Sequence, residues 1–229
     1  AQESRGLGDV YKRQLQCLYL IERICGICSQ AHSDNFVRAV EELAGVEIPA
    51  RAKYIRTIIS ELERIHSHML WLGVAAHEIG FDTLLMYTWR DREAVMDLLA
   101  LLTGNRVNYD INTLGGVRRD ITPELAGEIL KAVDLLEERT KHYIQLASEE
   151  TTLIERLSGV GYLALDDVYW LGTVGPTARA SGWDQDVRRD DPYDAYPFLD
   201  FKVITDRHSD VYGRVLVRVG ELMETYKIC

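Results

Sequence analysis

No apolar run in the 229 residues approaches the ~18 needed for a bilayer-crossing helix. The stretch Met69 to Ala76 is too short, and His66, His68, His77 and Glu78 interrupt or flank it. No secretory leader is visible. Basic charge is scarce: Lys and Arg number 26 against 36 Asp and Glu, a formal net charge of −10. Phosphate binding needs a clustered basic surface, so no nucleic-acid partner is expected. The 4 cysteines are too few for a disulfide scaffold in a chain of this length. A second C-x-x-C and a usable histidine pair are also missing, so the four ligands of a structural zinc site are not assembled. His66 and His68 are two apart on an expected helix and point roughly 200° apart. Thioredoxin-like redox use expects alternating strands and helices, which this chain does not show.

Hydrophobic residues make up 47% and charged residues 27%, as in ordinary globular proteins. That length buries one substantial core or two small ones. Residues 1–14 have neither helical nor strand periodicity and read as an adapter-derived, non-native tail. Residues 15–229 read as a single domain, expected to be a fragment open at both ends. The fold class expected is mainly α: a bundle of long antiparallel helices with a minor β component.

Periodicity and punctuation place the elements. One helix is predicted over 33–43, with Ser33 or Asp34 as cap and Gly45 as stop. A long helix follows Pro49 and closes at Gly80, with Ala52, Ile55, Ile59, Leu62, Ile65, Met69 and Leu72 as its apolar stripe. Another spans about 83–102 and stops at Gly104; its Asp91 and Arg92 read as helix-surface pairs. Gly115-Gly116 suggests a loop or short hairpin. Thr122-Pro123 opens a helix whose stripe runs from Leu125 to Leu157. A short helix covers 166–171, residues 181–197 read as loop, 199–205 as a strand, and 210–227 as the last helix.

The chemistry concentrates in Arg23-Ile24-Cys25-Gly26-Ile27-Cys28-Ser29-Gln30-Ala31-His32. Two thiols three positions apart can address one soft metal ion: nickel, zinc, copper(I) or an iron–sulfur cluster. His32, about one helical turn later, can return an N–H to a metal-bound sulfur. Read without its context, the pair leaves structural zinc and redox use open.

The wider run resembles the first metal-binding motif of nickel–iron hydrogenase large subunits, R-x-C-G-x-C-x-x-x-H. Further blocks follow in the family's order: Pro49 to Arg56, Glu61 to His68, Arg90 to Glu93, Leu114 to Arg118, and Gly175 to Gly182. These look like the membrane-bound, energy-converting hydrogenases and the related 49-kDa subunit of respiratory complex I. The resemblance runs from about Leu15 to Tyr226. It implies that Cys25 is a terminal nickel ligand, that Cys28 bridges nickel to an iron carrying carbon monoxide and cyanide, and that His32 sits near the bridging sulfur. The 49-kDa subunit of complex I generally lacks the thiol pair, so the cysteines favour the hydrogenase branch. The family's second pair, in D-P-C-x-x-C, does not occur here, and Cys229 does not match it; half a site is expected.

The resemblance further implies reversible reduction of protons to dihydrogen, iron–sulfur clusters in a small partner subunit, and a ferredoxin donor. It also implies a peripheral place on the cytoplasmic face of a membrane-bound assembly. The alternatives are a quinone-site subunit of the complex I type and a non-enzymatic zinc-stapled scaffold. Glu22, as part of a proton path, and Arg118 and Arg179, beside the site or a partner, are candidate cofactor-binding residues. Each has a plainer reading: a solvated carboxylate for Glu22, salt bridges for the two arginines. Arg188-Arg189-Asp190-Asp191 reads as a solvated loop.

Overall fold

The structure is a computed structural model that describes residues 14–229, with side chains from Cys17 onward. The expected 1–14 tail lies outside the described residues apart from Gln14, which already belongs to a helix. Ten α-helices and one two-stranded hairpin are present among the described residues: α1 Gln14–Glu22, α2 Ser29–Ala44, α3 Ala50–Glu78, α4 Asp82–Thr103, β1 Asn112–Thr113, β2 Gly116–Val117, α5 Pro123–Glu149, α6 Thr151–Leu157, α7 Leu165–Leu171, α8 Gly175–Arg179, α9 Val187–Asp190 and α10 Val211–Ile228. The mainly α class with a minor β component is what forms.

The core is built on α3. Its residues Ile55, Ile59, Leu62, Ile65 and Met69 meet Val95, Leu98, Leu99 and Leu102 of α4, Ile129, Val133 and Leu136 of α5, and Leu222 and Tyr226 of α10. A fully buried aliphatic side chain contributes about 1.5–3 kcal/mol, so this stripe is the main favourable term. A second cluster joins Leu72 and Ala76 of α3 to Tyr143 of α5, Leu153 and Leu157 of α6, and Val215 and Val219 of α10. Residues 79–81 turn α4 back along α3. Gly80 adopts a φ of 77° there, and the amides of Gly80 and Phe81 close onto the carbonyls of His77 and Ala76, a Schellman-type end.

Where expectation and structure part, local competition explains the difference. The helix expected from Ser33 begins at Ser29, with Cys28 at its cap position and no side-chain cap of its own; its open amides are taken by α3, as described below. The stripe drawn from Leu125 to Leu157 is cut at Glu150, whose extended backbone starts α6 and whose side chain caps it. No strand forms over 199–205. The Lys202 amide donates to Glu224 and the Asp206 amide to the Arg179 carbonyl, so side chains and loop carbonyls replace a ladder.

The Arg188 loop is a larger correction. Arg188 is buried, not solvated, and donates to both oxygens of Asp186 and, at 3.0 Å, to Glu61 of α3. Tyr196 also donates to Glu61 at 2.5 Å. Polar loop composition gave no sign that the segment folds inward around one guanidinium.

At Gly73, α3 and α4 approach closely. A Cβ added at Gly73 would stand 2.6 Å from Thr88 Oγ1 and 2.8 Å from the Trp89 ring, whereas one at Gly127 in α5 would meet nothing within 4 Å. Gly73→Ala is therefore expected to destabilise by about 1–3 kcal/mol, and Gly127→Ala to stabilise by about 0.5–1 kcal/mol. Thermal melts of the two variants should shift in opposite directions.

Candidate metal centre

The C-x-x-C run lies between α1 and α2, and three separate contacts hold it. Behind it, Glu22 at the end of α1 accepts the Asp110 amide with both oxygens at 3.0 Å. Glu22 is 1% exposed, so the solvated reading for it is overturned. In front, the Ser29 hydroxyl donates to the Val107 carbonyl. Above, the buried carboxylate of Glu63 on α3 accepts the amides of Gln30 at 2.6 Å and Ala31 at 3.1 Å. These are two of the four N–H groups that a helix start leaves without intrahelical partners. Burial raises the Glu63 carboxyl to about 8, so at neutral pH it serves the turn as a hydrogen-bond acceptor more than as a fixed negative charge.

The hairpin adds a polar clasp. Asn112 of β1 exchanges amide hydrogen bonds with Gln30 and donates to Ser33 Oγ at 2.9 Å. Ser33 is thereby committed inside α2 and is not its cap.

The ligand-type atoms of Cys25, Cys28 and His32 all lie within 4.8 Å of one another, and each residue is partly exposed. The sequence-predicted trio is brought together. Cys25 Sγ accepts the amides of Ile27 at 3.4 Å and Cys28 at 3.3 Å. The thiol of Cys28 and these amides hold the Cys25 thiol below its ordinary range. Burial, the Cys25 sulfur and the Glu63 carboxylate push Cys28 up to about 12. The pair thus holds one sulfur as the readier thiolate and one as a protonated thiol. Two sulfurs and an imidazole at this separation suit a soft or borderline cation, and a metal would displace the remaining proton.

Other predicted residues lie apart from the trio. Arg118 pairs with Asp110 at 2.6 Å and stacks over Tyr19, one link behind Glu22. Arg179 is buried against Glu221 of α10 at 2.7 Å. His66 and His68 diverge as their spacing requires: His66 meets Arg92, and His68 meets Glu221 at 2.7 Å. Burial lowers both imidazoles to about 4. Asp91, expected in a surface pair, is buried and accepts the Tyr143 hydroxyl. Cys229 packs on the main core.

Glu63, Gln30 and Asn112 were not found from the sequence. Glu63 follows Leu62 on a helix that is buried on several sides, so apolar periodicity could not mark its carboxylate as an inward group.

With iodoacetamide at neutral pH, Cys25 is expected to take the first label and Cys28 to lag, because the reactive species is the thiolate. Peptide mass mapping at partial labelling reads the order; equal labelling would contradict the asymmetry.

Comparison with known proteins joins these observations. Residues 78–229 match the family model of the respiratory-chain NADH dehydrogenase 49 kDa subunit, and residues 5–74 that of the nickel-dependent hydrogenases. The membrane-bound hydrogenase subunit alpha of Pyrococcus furiosus is 45% identical over 218 residues, covering 92% of this chain and 51% of the relative. An NADH-quinone oxidoreductase subunit of Rhizobium etli is 38% identical over 213 residues, covering 93% and 53%. Among solved structures, a chain of the membrane-bound sulfane sulfur reductase, an archaeal respiratory membrane complex, superposes with a TM-score of 0.90 at 32% identity, covering 95% of this chain and 59% of that one. The chain spans about half the length of the curated relatives it matches. It belongs to the 49 kDa subunit family of the respiratory-chain NADH dehydrogenases, an oxidoreductase family, and carries its thiol pair in the stretch that matches nickel-dependent hydrogenases.

Proposed function

We propose that this chain is the part of a membrane-bound, energy-converting hydrogenase catalytic subunit that supplies two thiolates to a nickel–iron centre. The reaction is the reversible reduction of protons to dihydrogen. The observation that carries this reading is the trio Cys25, Cys28 and His32, gathered within 4.8 Å.

The donor set fits the group. Cys25 and Cys28 would supply two of the thiolates that hold a nickel–iron centre whose iron carries carbon monoxide and cyanide. The metal pair, when bound, supplies the Lewis acid that makes dihydrogen heterolysis possible. The chain's own residues set the surroundings. Glu63 fixes the first turn of α2 and with it the angle between Cys28 and His32. A His32 N–H directed at a bridging sulfur would lower the basicity of that sulfur and favour a protonation site elsewhere. Glu22, buried behind the loop, has its carboxyl raised by burial, in keeping with a place on a proton path.

Electrons would arrive from iron–sulfur clusters in a small partner subunit, with a ferredoxin as donor. The chain would sit peripherally on the cytoplasmic face of the membrane assembly. No described helix is long and apolar enough to cross a membrane. A quinone-reducing role of the complex I type is the second reading, favoured by the 49 kDa subunit match over residues 78–229; the retained thiol pair weighs against it.

The intact assembly containing this subunit is expected to hold nickel and to show infrared bands of iron-bound carbon monoxide and cyanide. Cys28→Ser should abolish both, with dihydrogen evolution falling to background. A nickel-free assembly whose quinone-linked electron transfer survives Cys28→Ser would overturn the proposal in favour of the second reading.

A further inference from the structure

Cys28 lies on the wall of a cavity of about 490 Å³ that extends away from the thiol loop between α2, α3 and α10. Three guanidinium groups line it: Arg38, Arg64 and Arg218. The carboxyls lining it are Asp34 and Glu63. Glu63 is occupied by the two amides at the start of α2. Asp34 lies 3.9 Å from Arg38, its Oδ1 is buried without a hydrogen-bond partner, and burial with the neighbouring Asp194 charge raises its carboxyl to about 8.

Arg218 is the anomaly. Among the described residues no carboxylate oxygen lies within 4.0 Å of it; its guanidinium sits 4.4 Å above the Trp71 ring, and its Nε is buried without an acceptor. Burial, offset in part by the Glu221 charge, and the neighbouring Arg179 and Arg64 charges lower it only to about 10, so it stays charged at neutral pH. The carboxylate that could have served it, Glu221, is already taken by Arg179 at 2.7 Å, His68 at 2.7 Å and Arg64 at 3.3 Å. The surrounding cluster sets the guanidiniums of Arg64, Arg179, Arg188 and Arg218 against the carboxylates of Glu61, Asp186 and Glu221. His68 beside them is held neutral by burial. One positive charge is left over, in a chain whose net charge is −10. A poorly solvated cation without a partner is costly, and an anion placed against it offsets that cost.

We infer that this cavity is a binding site for a small anion, an oxyanion or carboxylate of one or two charges, held by the guanidinium groups of Arg218 and Arg64. The site needs neither thiol nor metal, so it stands apart from the hydrogenase reading.

The test titrates sodium sulfate and sodium acetate into the 229-residue chain at constant ionic strength set with chloride. Trp71 emission and the melting temperature are followed together. At least one of the two anions should give a saturable response with a matching rise in melting temperature. Arg218→Gln should weaken that binding about tenfold or more. Arg218→Lys should keep part of it, and Arg214→Gln, altering an arginine of the same helix that bonds the Gly161 carbonyl, should leave it unchanged. Circular dichroism checks folding; should Arg218→Gln not fold, the lysine variant carries the comparison. A response that chloride alone reproduces, or a constant indifferent to Arg218, would overturn the inference.

Discussion

The carboxylate of Glu63 reaches from the middle of α3 into the first turn of α2, where the amides of Gln30 and Ala31 donate to it. Without it, the start of α2 would have no cap, because Cys28 at the cap position contributes no side-chain bond. Replacing a helix cap commonly costs ~0.5–2 kcal/mol. Here the consequence is also geometric, since Cys28 and His32 flank the capped turn. A thiol before the turn and an imidazole within it share a site only if the turn is fixed against the core. Glu63 neighbours Leu62, which is fully buried in the main core cluster, so the cap is anchored on a core helix.

The same helix organises the charges behind the site. Arg56, Glu61, Glu63, Arg64, His66 and His68 all belong to α3, and all but Arg64 are buried. Arg56 binds Glu41 of α2 through both terminal nitrogens and donates to the carbonyls of Thr113 and Gly116 in the hairpin. Glu61 receives Arg188 and Tyr196 from the distal loop. Such buried pairs add little net stability, because desolvation consumes most of their attraction, yet removing one partner is severe. Their effect is to fix which loop packs where. The hairpin, the distal loop and the thiol loop are each tied to α3 by side chains, while hydrophobic contact holds the long helices.

Most of the long-helix framework was legible from apolar spacing and stop signals. Gly45, Gly80 and Gly104 end helices where expected, with positive φ at each, and Thr122 caps α5 ahead of Pro123. Those signals are local and depend on backbone chemistry alone. The Cys25, Cys28 and His32 cluster was legible for the same reason: its spacing lies within one loop and one turn. What was hidden depended on contacts distant in the chain. Glu63 lies 33 positions from Gln30, and Arg188 lies 127 from Glu61, so neither the cap nor the buried guanidinium had a local signature. The absent strand at 199–205 belongs with these, since its amides went to Glu224 and Arg179 and not to a neighbouring strand.

Paired sulfurs, held by a carboxylate-capped turn, as ligands of a nickel ion are the centre of this account. Nickel K-edge X-ray absorption of the intact assembly tests that claim most directly. The account predicts a sulfur-containing first shell that loses one sulfur in the Cys25→Ser variant. A shell of nitrogen and oxygen alone, unchanged by that substitution, would contradict it.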